Sequence, residues 1–232
     1  MIKLEHTVLP SLDQMEFVIE GMRNPMNSWD KSDSHTCKQD GAFCMECEHK
    51  NDYCLGENDH SLMQKLSYAG TDHRKYMRMM PVFVRITAPL YWWKEFDTYK
   101  VGTVANSCST MHKIQEKEFT LDDFSTEHLL DFSWNRLTDT IEYLNYCREK
   151  FINYDPEKEK TIHLTMQYKK KDYWLQMIQL LPSSYNQTRN VMMNYEVLAN
   201  MYHSRKNHKL DEWREFCKWI EDLPYSDLII LR

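Results

Sequence analysis

Residues 81–112, PVFVRITAPLYWWKEFDTYKVGTVANSCSTMH, form the densest run of aromatic and polar residues in the chain. The period of the run changes partway. Val82, Val84 and Ile86 alternate with Phe83, Arg85 and Thr87, the period of a half-buried strand. Pro89 ends the alternation and fits the first turn of a helix, where a missing N–H goes unused. Leu90 to about Tyr99 reads as a short aromatic helix with Trp92, Trp93, Lys94, Glu95 and Phe96, and Gly102 breaks it. Asn106, Ser107, Ser109, Thr110 and His112 then load the next segment with hydrogen-bonding groups. Strand, helix and polar loop in this order suit a site for a small anionic ligand or a nucleotide. The same run also fits an aromatic core helix followed by a polar surface loop.

The chain has 232 residues, seven of them cysteine, and a net charge of −6. Such a length buries roughly 70% of its unfolded surface. Apart from Lys169–Lys171 there is no lysine-rich patch, so a duplex nucleic-acid partner is not expected. Five glycines leave no glycine-rich phosphate loop, and no apolar run is long enough for a membrane span. MIKLEHTVLP lacks the regions of a signal peptide, so a cytoplasmic protein with thiol or metal-bound cysteines is expected.

Upstream, residues 1–10 read as a strand with Ile2, Leu4 and Val8 on one face. Ser11 and Gln14 have capping-box spacing ahead of the stripe Met15, Val18, Ile19 and Met22. Arg23, Asn24, Asn27 and Trp29 follow in a turn-rich segment that fits either a site lining or an ordered surface turn. Residues 35–54 look like an insert whose cysteines, Cys37, Cys44, Cys47 and Cys54, have the spacing C-x6-C-x2-C-x6-C. A pair two residues apart can face one tetrahedral ion and an outer pair can complete it, so structural zinc is expected, with His35 and His49 as reserve ligands. A mobile loop with free thiols is the alternative. A helix from Asp59 to about Tyr68 is stopped by Gly70. The basic cluster His73, Arg74, Lys75 and Arg78 fits phosphate contacts or a solvated helix end.

Downstream, Thr120 and Asp123 carry a cap signal. A helix is expected from about Thr126 to Asn153, with Leu130, Trp134, Leu137, Ile141 and Leu144 as its buried stripe. Further helices are expected at about 161–181, 188–205 and 210–222, the third of these four placing Val191, Tyr195, Leu198 and Tyr202 on one face. Leu228–Leu231 reads as an edge strand. With no linker in view, residues 1–232 read as one helix-rich α+β domain carrying the Cys-rich insert.

The order of elements over most of residues 60–222 resembles the flavin-dependent thymidylate synthases. Asp72-His73 falls where that family has Gly-His, Val82–Thr87 is the strand, and Ala88-Pro89 is the turn. Lys94 and Glu95 stand where it tends to have Arg and Gln. Leu181-Pro182, Asn194, Arg205 and the segment HKLDEWREF match the later layout. The resemblance implies a mixed sheet flanked by helices and a homotetramer binding FAD where subunits meet. It also implies methylation of a pyrimidine nucleotide with a folate as carbon source. Carried onto this chain, it points to His73, Lys94, Glu95, Tyr99, Lys100, Ser107, Ser109, His112, Asn194 and Arg205 as the cofactor and nucleotide site. Lys100 and Arg205 would meet phosphates, Ser107 and Ser109 would donate hydrogen bonds, Tyr99 would stack on a ring, and Asn194 would contact flavin or base. The chain departs from the family pattern in three places. The Arg-His-Arg signature falls on Thr98, Tyr99 and Lys100, and lysine lacks the planar fork of arginine. The downstream Arg-Tyr pair falls near Thr110, Met111 and His112. The arginine expected two residues after Asn194 is Glu196, a carboxylate that should repel a nucleotide phosphate. The alternative is a non-catalytic binding or interaction protein on the same fold.

Overall fold

The computed structural model describes residues 2–36, 53–158 and 168–231. A four-stranded sheet has the order β1-β4-β6-β5, with β1 at Lys3–Val8, β4 at Pro81–Pro89, β5 at Val104–Ser107 and β6 at Asn186–Asn194. A second, two-stranded sheet pairs β2 (His35–Thr36) antiparallel with β3 (Tyr53–Cys54), setting His35 opposite Cys54. Backbone contacts divide the chain into two units. One comprises 4–86, 97–105 and 190–232; the other comprises 1–3, 87–96 and 106–189.

In the first unit the capping box forms: Ser11 Oγ accepts from Gln14 N–H, and Gln14 Oε1 accepts from Ser11 N–H. It starts α1 (Leu12–Arg23), whose Met15, Val18, Ile19 and Met22 are buried. α2 (Glu57–Tyr68) and the single turn α3 (Lys75–Arg78) precede β4. Gly70 between them has φ +108, a backbone that favours glycine. Along β4, Val82, Val84 and Ile86 are buried while Phe83 and Arg85 are exposed, the alternation that the sequence predicts. Val8 of β1, however, is 45% exposed, so the apolar face expected on that strand stops short of it.

The expected helix 188–205 is a strand followed by a helix. Asn186–Asn194 is β6, and α7 covers only Tyr195–Arg205. Val191, Tyr195, Leu198 and Tyr202 are all buried, but Val191 belongs to the strand and the other three to the helix. The spacing thus matched a helix by coincidence. Pairing decides against it: Tyr195 N–H donates to Met80 O at 3.2 Å, and Arg85 Nε reaches Asn190 Oδ1 at 3.4 Å. Both pairs fit one antiparallel register between β4 and β6. α8 (Asp211–Glu221) buries Trp213, Phe216, Cys217 and Ile220. The terminal apolar run forms a short helix, α9 (Asp227–Ile230), in place of an edge strand, because Leu228 and Ile229 pack against α7 and α2.

In the second unit, α4 (Leu90–Phe96) ends three residues before the expected Tyr99. Trp92, Trp93 and Phe96 are buried with ring centroids 4.9–5.2 Å apart, Trp92 stacked on Phe96 and Trp93 edge to face with both. Each such ring stabilises the fold by roughly 2–3 kcal/mol through burial. Thr87 Oγ1 meets Thr188 Oγ1 at 2.7 Å and Leu90 N–H donates to Tyr185 O at 3.0 Å, in the same antiparallel register. The β4–β6 pairing is thus antiparallel, and it gives no support to the mixed sheet that the resemblance implied. α5 (Asp131–Ile152) and α6 (Lys170–Gln179) pack together over Leu137, Ile141, Leu144, Cys147, Tyr173 and Met177. The stripe begins later than expected. Leu130 caps α5 at 76% exposure and Trp134 is 37% exposed, while Cys147 extends the buried face. The Thr120–Asp123 cap signal is real but starts a 3-10 turn at Leu121–Asp123.

Candidate functional site

In the first unit the chain folds so that the end of β6 becomes a helix cap. Asn194 is extended and its Oδ1 accepts from Val197 N–H at 3.0 Å, satisfying one of the donors a helix start leaves open. That bond commits its carbonyl oxygen, so the amide nitrogen is what Asn194 can offer a ligand. Gly102, at φ +76, passes close by: a Cβ there would lie 3.0 Å from Asn194 Nδ2.

Arg205, at the other end of α7, is held on three sides. Its Nε donates to Tyr99 Oη at 2.9 Å, and its guanidinium lies 4.8 Å from the Trp213 ring centre and 5.6 Å from that of Tyr99. Tyr99 and Trp213 are themselves edge to face at 6.1 Å. A guanidinium clamped by a hydroxyl and two aromatic faces is a pre-oriented cation. The structure thus joins two expected site residues, Tyr99 and Arg205. It adds Trp213, which the sequence carries within the segment HKLDEWREF with no site role of its own. Lys100 and His73 are exposed.

Glu196, the second residue of α7, is clasped by arginines. Arg74 Nε donates to Oε1 at 2.9 Å, and Arg78 uses Nε on Oε2 and Nη2 on Oε1. Burial would raise this carboxyl, but the bonds from Arg78 and Arg74 outweigh it and hold the pKa below the usual glutamate range. The repulsion expected from Glu196 is therefore cancelled at its source.

In the second unit Lys94 is exposed on the last turn of α4 and Glu95 is half-buried. Ser107 ends the exposed strand β5, where the sequence predicts a loop. Ser109 Oγ accepts from the His112 backbone N–H at 3.0 Å, and His112 O accepts from Gln115 Nε2 at 3.0 Å. Ser109 and His112 are therefore joined, through the backbone of one. Missed by the sequence reading is the buried Gln187, which accepts from Trp93 Nε1 at its backbone oxygen and donates its amide to Cys108 O, both at 2.9 Å. Its Oε1 receives Arg189 Nε at 2.9 Å, and the Arg189 guanidinium sits 4.1 Å from the Trp93 ring centre. The signal was Trp93 itself, but pairing it with Arg189 required knowing that 186–194 is a strand.

Cys37, Cys44 and Cys47 lie outside the described residues, as does His49. Cys54 is half-buried on β3, opposite His35. Among the described residues no group of three or more His, Cys, Asp or Glu could hold a metal ion. No helix among them is long and apolar enough to cross a membrane.

No protein-family model matches the chain, and no curated protein matches it. Solved structures do. A crystal structure of thymidylate synthase X from Helicobacter pylori with FAD and dUMP is 14% identical and aligns at a TM-score of 0.56. That alignment covers 99% of this chain and 96% of the other. A second structure, of the flavin-dependent thymidylate synthase ThyX from Helicobacter pylori complexed with FAD and dUMP, is also 14% identical. It gives a TM-score of 0.59 over 99% of this chain and 97% of that one. The chain has the fold of the flavin-dependent thymidylate synthases along nearly its whole length.

Proposed function

We propose that this chain is a divergent flavin-dependent thymidylate synthase-like protein that binds FAD and a pyrimidine nucleotide and takes a one-carbon unit from a folate. The observation that carries the reading is the whole-chain likeness to two structures holding FAD and dUMP. Bound FAD would supply the redox chemistry for one-carbon transfer. The chain's own residues bind and orient. Arg205, fixed by Tyr99 and Trp213, offers a cation that loses little freedom on meeting a phosphate. Lys100 adds exposed charge, and the Asn194 amide nitrogen, left over from capping, fits a ring carbonyl. Lys94, Glu95, Ser107, Ser109, His112 and His73 complete the proposed set. A cytoplasmic homotetramer with zinc on Cys37, Cys44, Cys47 and Cys54 belongs to the same reading.

A second reading, the same fold without chemistry, is favoured by Thr98, Tyr99 and Lys100 at the signature positions, with the Tyr99 hydroxyl engaged by Arg205. Both are tested by adding FAD to purified protein, removing the excess and recording the visible spectrum. Retained flavin near one per chain supports the first, and the next step is a screen of pyrimidine nucleotides with folate. A folded protein that keeps no flavin refutes it and leaves the second.

A further inference from the structure

Arg74, Arg78 and Glu196 do more than cancel one charge. Two guanidiniums converge on a single carboxylate, leaving the triad one positive charge in excess. Arg74 and Glu196 are largely buried, with side chains 7% and 11% exposed, while Arg78 is 43% exposed and opens the cluster to solvent. The nearby Asp72 also acts on Arg78 through space, but makes no ion pair among the described residues. Lys75, exposed, restores the balance toward positive.

The remaining bonds define what is left over. Arg74 Nη2 donates to Thr71 Oγ1 at 3.4 Å, and Arg78 Nη2 donates to Thr71 O at 3.1 Å. Among the described residues, neither arginine's Nη1 has a hydrogen-bond partner. Glu196 also occupies the first turn of α7, an 11-residue helix whose N-terminus is itself partly positive. An excess cation, partly buried at a positive helix end with guanidinium donors unused, is balanced best by an external anion. Nε and Nη2 of each arginine already serve Glu196 and Thr71, so what remains is one Nη1 group from each, a pair of charge-assisted donors from which an oxyanion can accept.

We propose that Arg74 and Arg78, held in place by Glu196, form a binding site for a phosphate oxyanion, the phosphate group of a nucleotide. The cationic role that the resemblance assigns to position 196 is thereby moved to α3, with the carboxylate as the organiser. The nucleotide as the source of the phosphate rests on the reading above; the oxyanion chemistry stands on the geometry alone.

The test is calorimetric titration of the whole protein with inorganic pyrophosphate at low and moderate salt, in the wild type, Arg78→Gln and Arg78→Lys. The wild type is expected to bind with an affinity that falls as salt rises. Arg78→Gln should weaken binding at least tenfold, and Arg78→Lys should fall between, since it keeps the charge but loses the two-point grip on Glu196 that positions it. Circular dichroism checks that each variant is folded. No binding by the wild type at low salt overturns the assignment, and so does equal binding by Arg78→Gln. Competition with FAD and with dUMP separates the sources. Pyrophosphate binding that needs Arg78 but yields to neither nucleotide keeps the oxyanion site and refutes the nucleotide as its occupant. FAD binding indifferent to Arg78→Gln removes FAD from this site while leaving the flavoprotein reading intact, and the dUMP competition then decides for the pyrimidine nucleotide.

Discussion

Replacing Asp59 with asparagine should destabilise the protein more than any other single polar substitution near the N-terminus. Asp59 is fully buried in α2, and Arg23, 4% exposed at the end of α1, donates Nε to its Oδ1 at 2.5 Å. Its Oδ2 accepts from Ser32 Oγ and Ser34 Oγ, both at 2.7 Å, and from the backbone N–H groups of Asp33 and Ser34 at 3.2 and 3.1 Å. Asparagine has one acceptor oxygen. Whichever way its amide turns, an NH2 faces either the Arg23 guanidinium or a group of donors, and Arg23 becomes a buried cation without its counter-charge. Breaking a buried pair of this kind costs about 3–5 kcal/mol. With a urea slope of about 2–3 kcal/mol per M for a chain of this size, the midpoint should fall by about 1–2 M. A midpoint shift below about 0.3 M for Asp59→Asn, with an unchanged slope, would refute the reasoning. Acid should act the same way. Burial raises the Asp59 carboxyl, but the bonds from Ser34, Ser32 and Arg23 prevail and lower it. A carboxyl whose folded pKa is depressed stabilises above its unfolded pKa, and that contribution is lost as pH falls through the folded value. Wild-type stability should therefore drop on the acid side of the ordinary carboxylate range, and Asp59→Asn should show less of that drop.

Other outcomes follow from single contacts. Gly102→Ala should cost about 2 kcal/mol in thermal or urea unfolding, more than Gly70→Ala at about 1 kcal/mol. Both have positive φ, but only Gly102 would drive a Cβ against Asn194 and Val197, whereas nothing lies within 4 Å at Gly70. Ser11→Ala should cost about 1 kcal/mol by opening the capping box of α1. Tyr99→Phe should leave the fold intact and weaken nucleotide binding about fivefold, because Arg205 loses the hydroxyl that fixes it; equal affinity by fluorescence titration would remove Arg205 from the site. Metal analysis should find zinc in the purified protein that disappears in Cys44→Ser/Cys47→Ser, and a metal-free wild type would leave that spacing without a ligand role.

The legible parts of this chain are those where one local rule governs. The α1 capping box, the alternation of Val82, Val84 and Ile86, and the Trp213–Ile220 face of α8 each follow from spacing within a dozen residues. The second half of the central sheet does not. Residues 186–194, NQTRNVMMN, carry one β-branched apolar residue, Val191, and little of a strand's usual composition. The strand exists because β4 supplies the backbone partners, and that partner lies about a hundred residues away in the chain. Leu228–Leu231 fails in the opposite direction: an apolar run of strand-like residues becomes helical because α7 and α2 offer it a packing face.

The same distance effect governs the site. Read along the chain, Glu196 is a charge reversal that removes an anion-binding cation. Read in space, it is the centre of a clasp whose arginines come from 118 and 122 residues upstream. A carboxylate exposed to a nucleotide phosphate would repel it, but one that already accepts from two guanidiniums presents their unused donors outward and a net positive charge. The sign of the local field therefore depends on Arg74 and Arg78, whose joint placement depends on α3 packing against both α1 and α7. The sequence does show the basic cluster 73–78 and the acidic position 196 separately. What it lacks is the register between β4 and β6, which carries Met80 to Tyr195 and so brings the residues just before β4 up to the first turn of α7. Shifting that register by one residue would turn every side chain of the strand to the other face, and it would displace α3 from the first turn of α7 and so part the arginines from the carboxylate. The charge exchange at this position is thus a property of strand pairing, and substitutions that loosen the start of β4 should weaken oxyanion binding even when every arginine is retained.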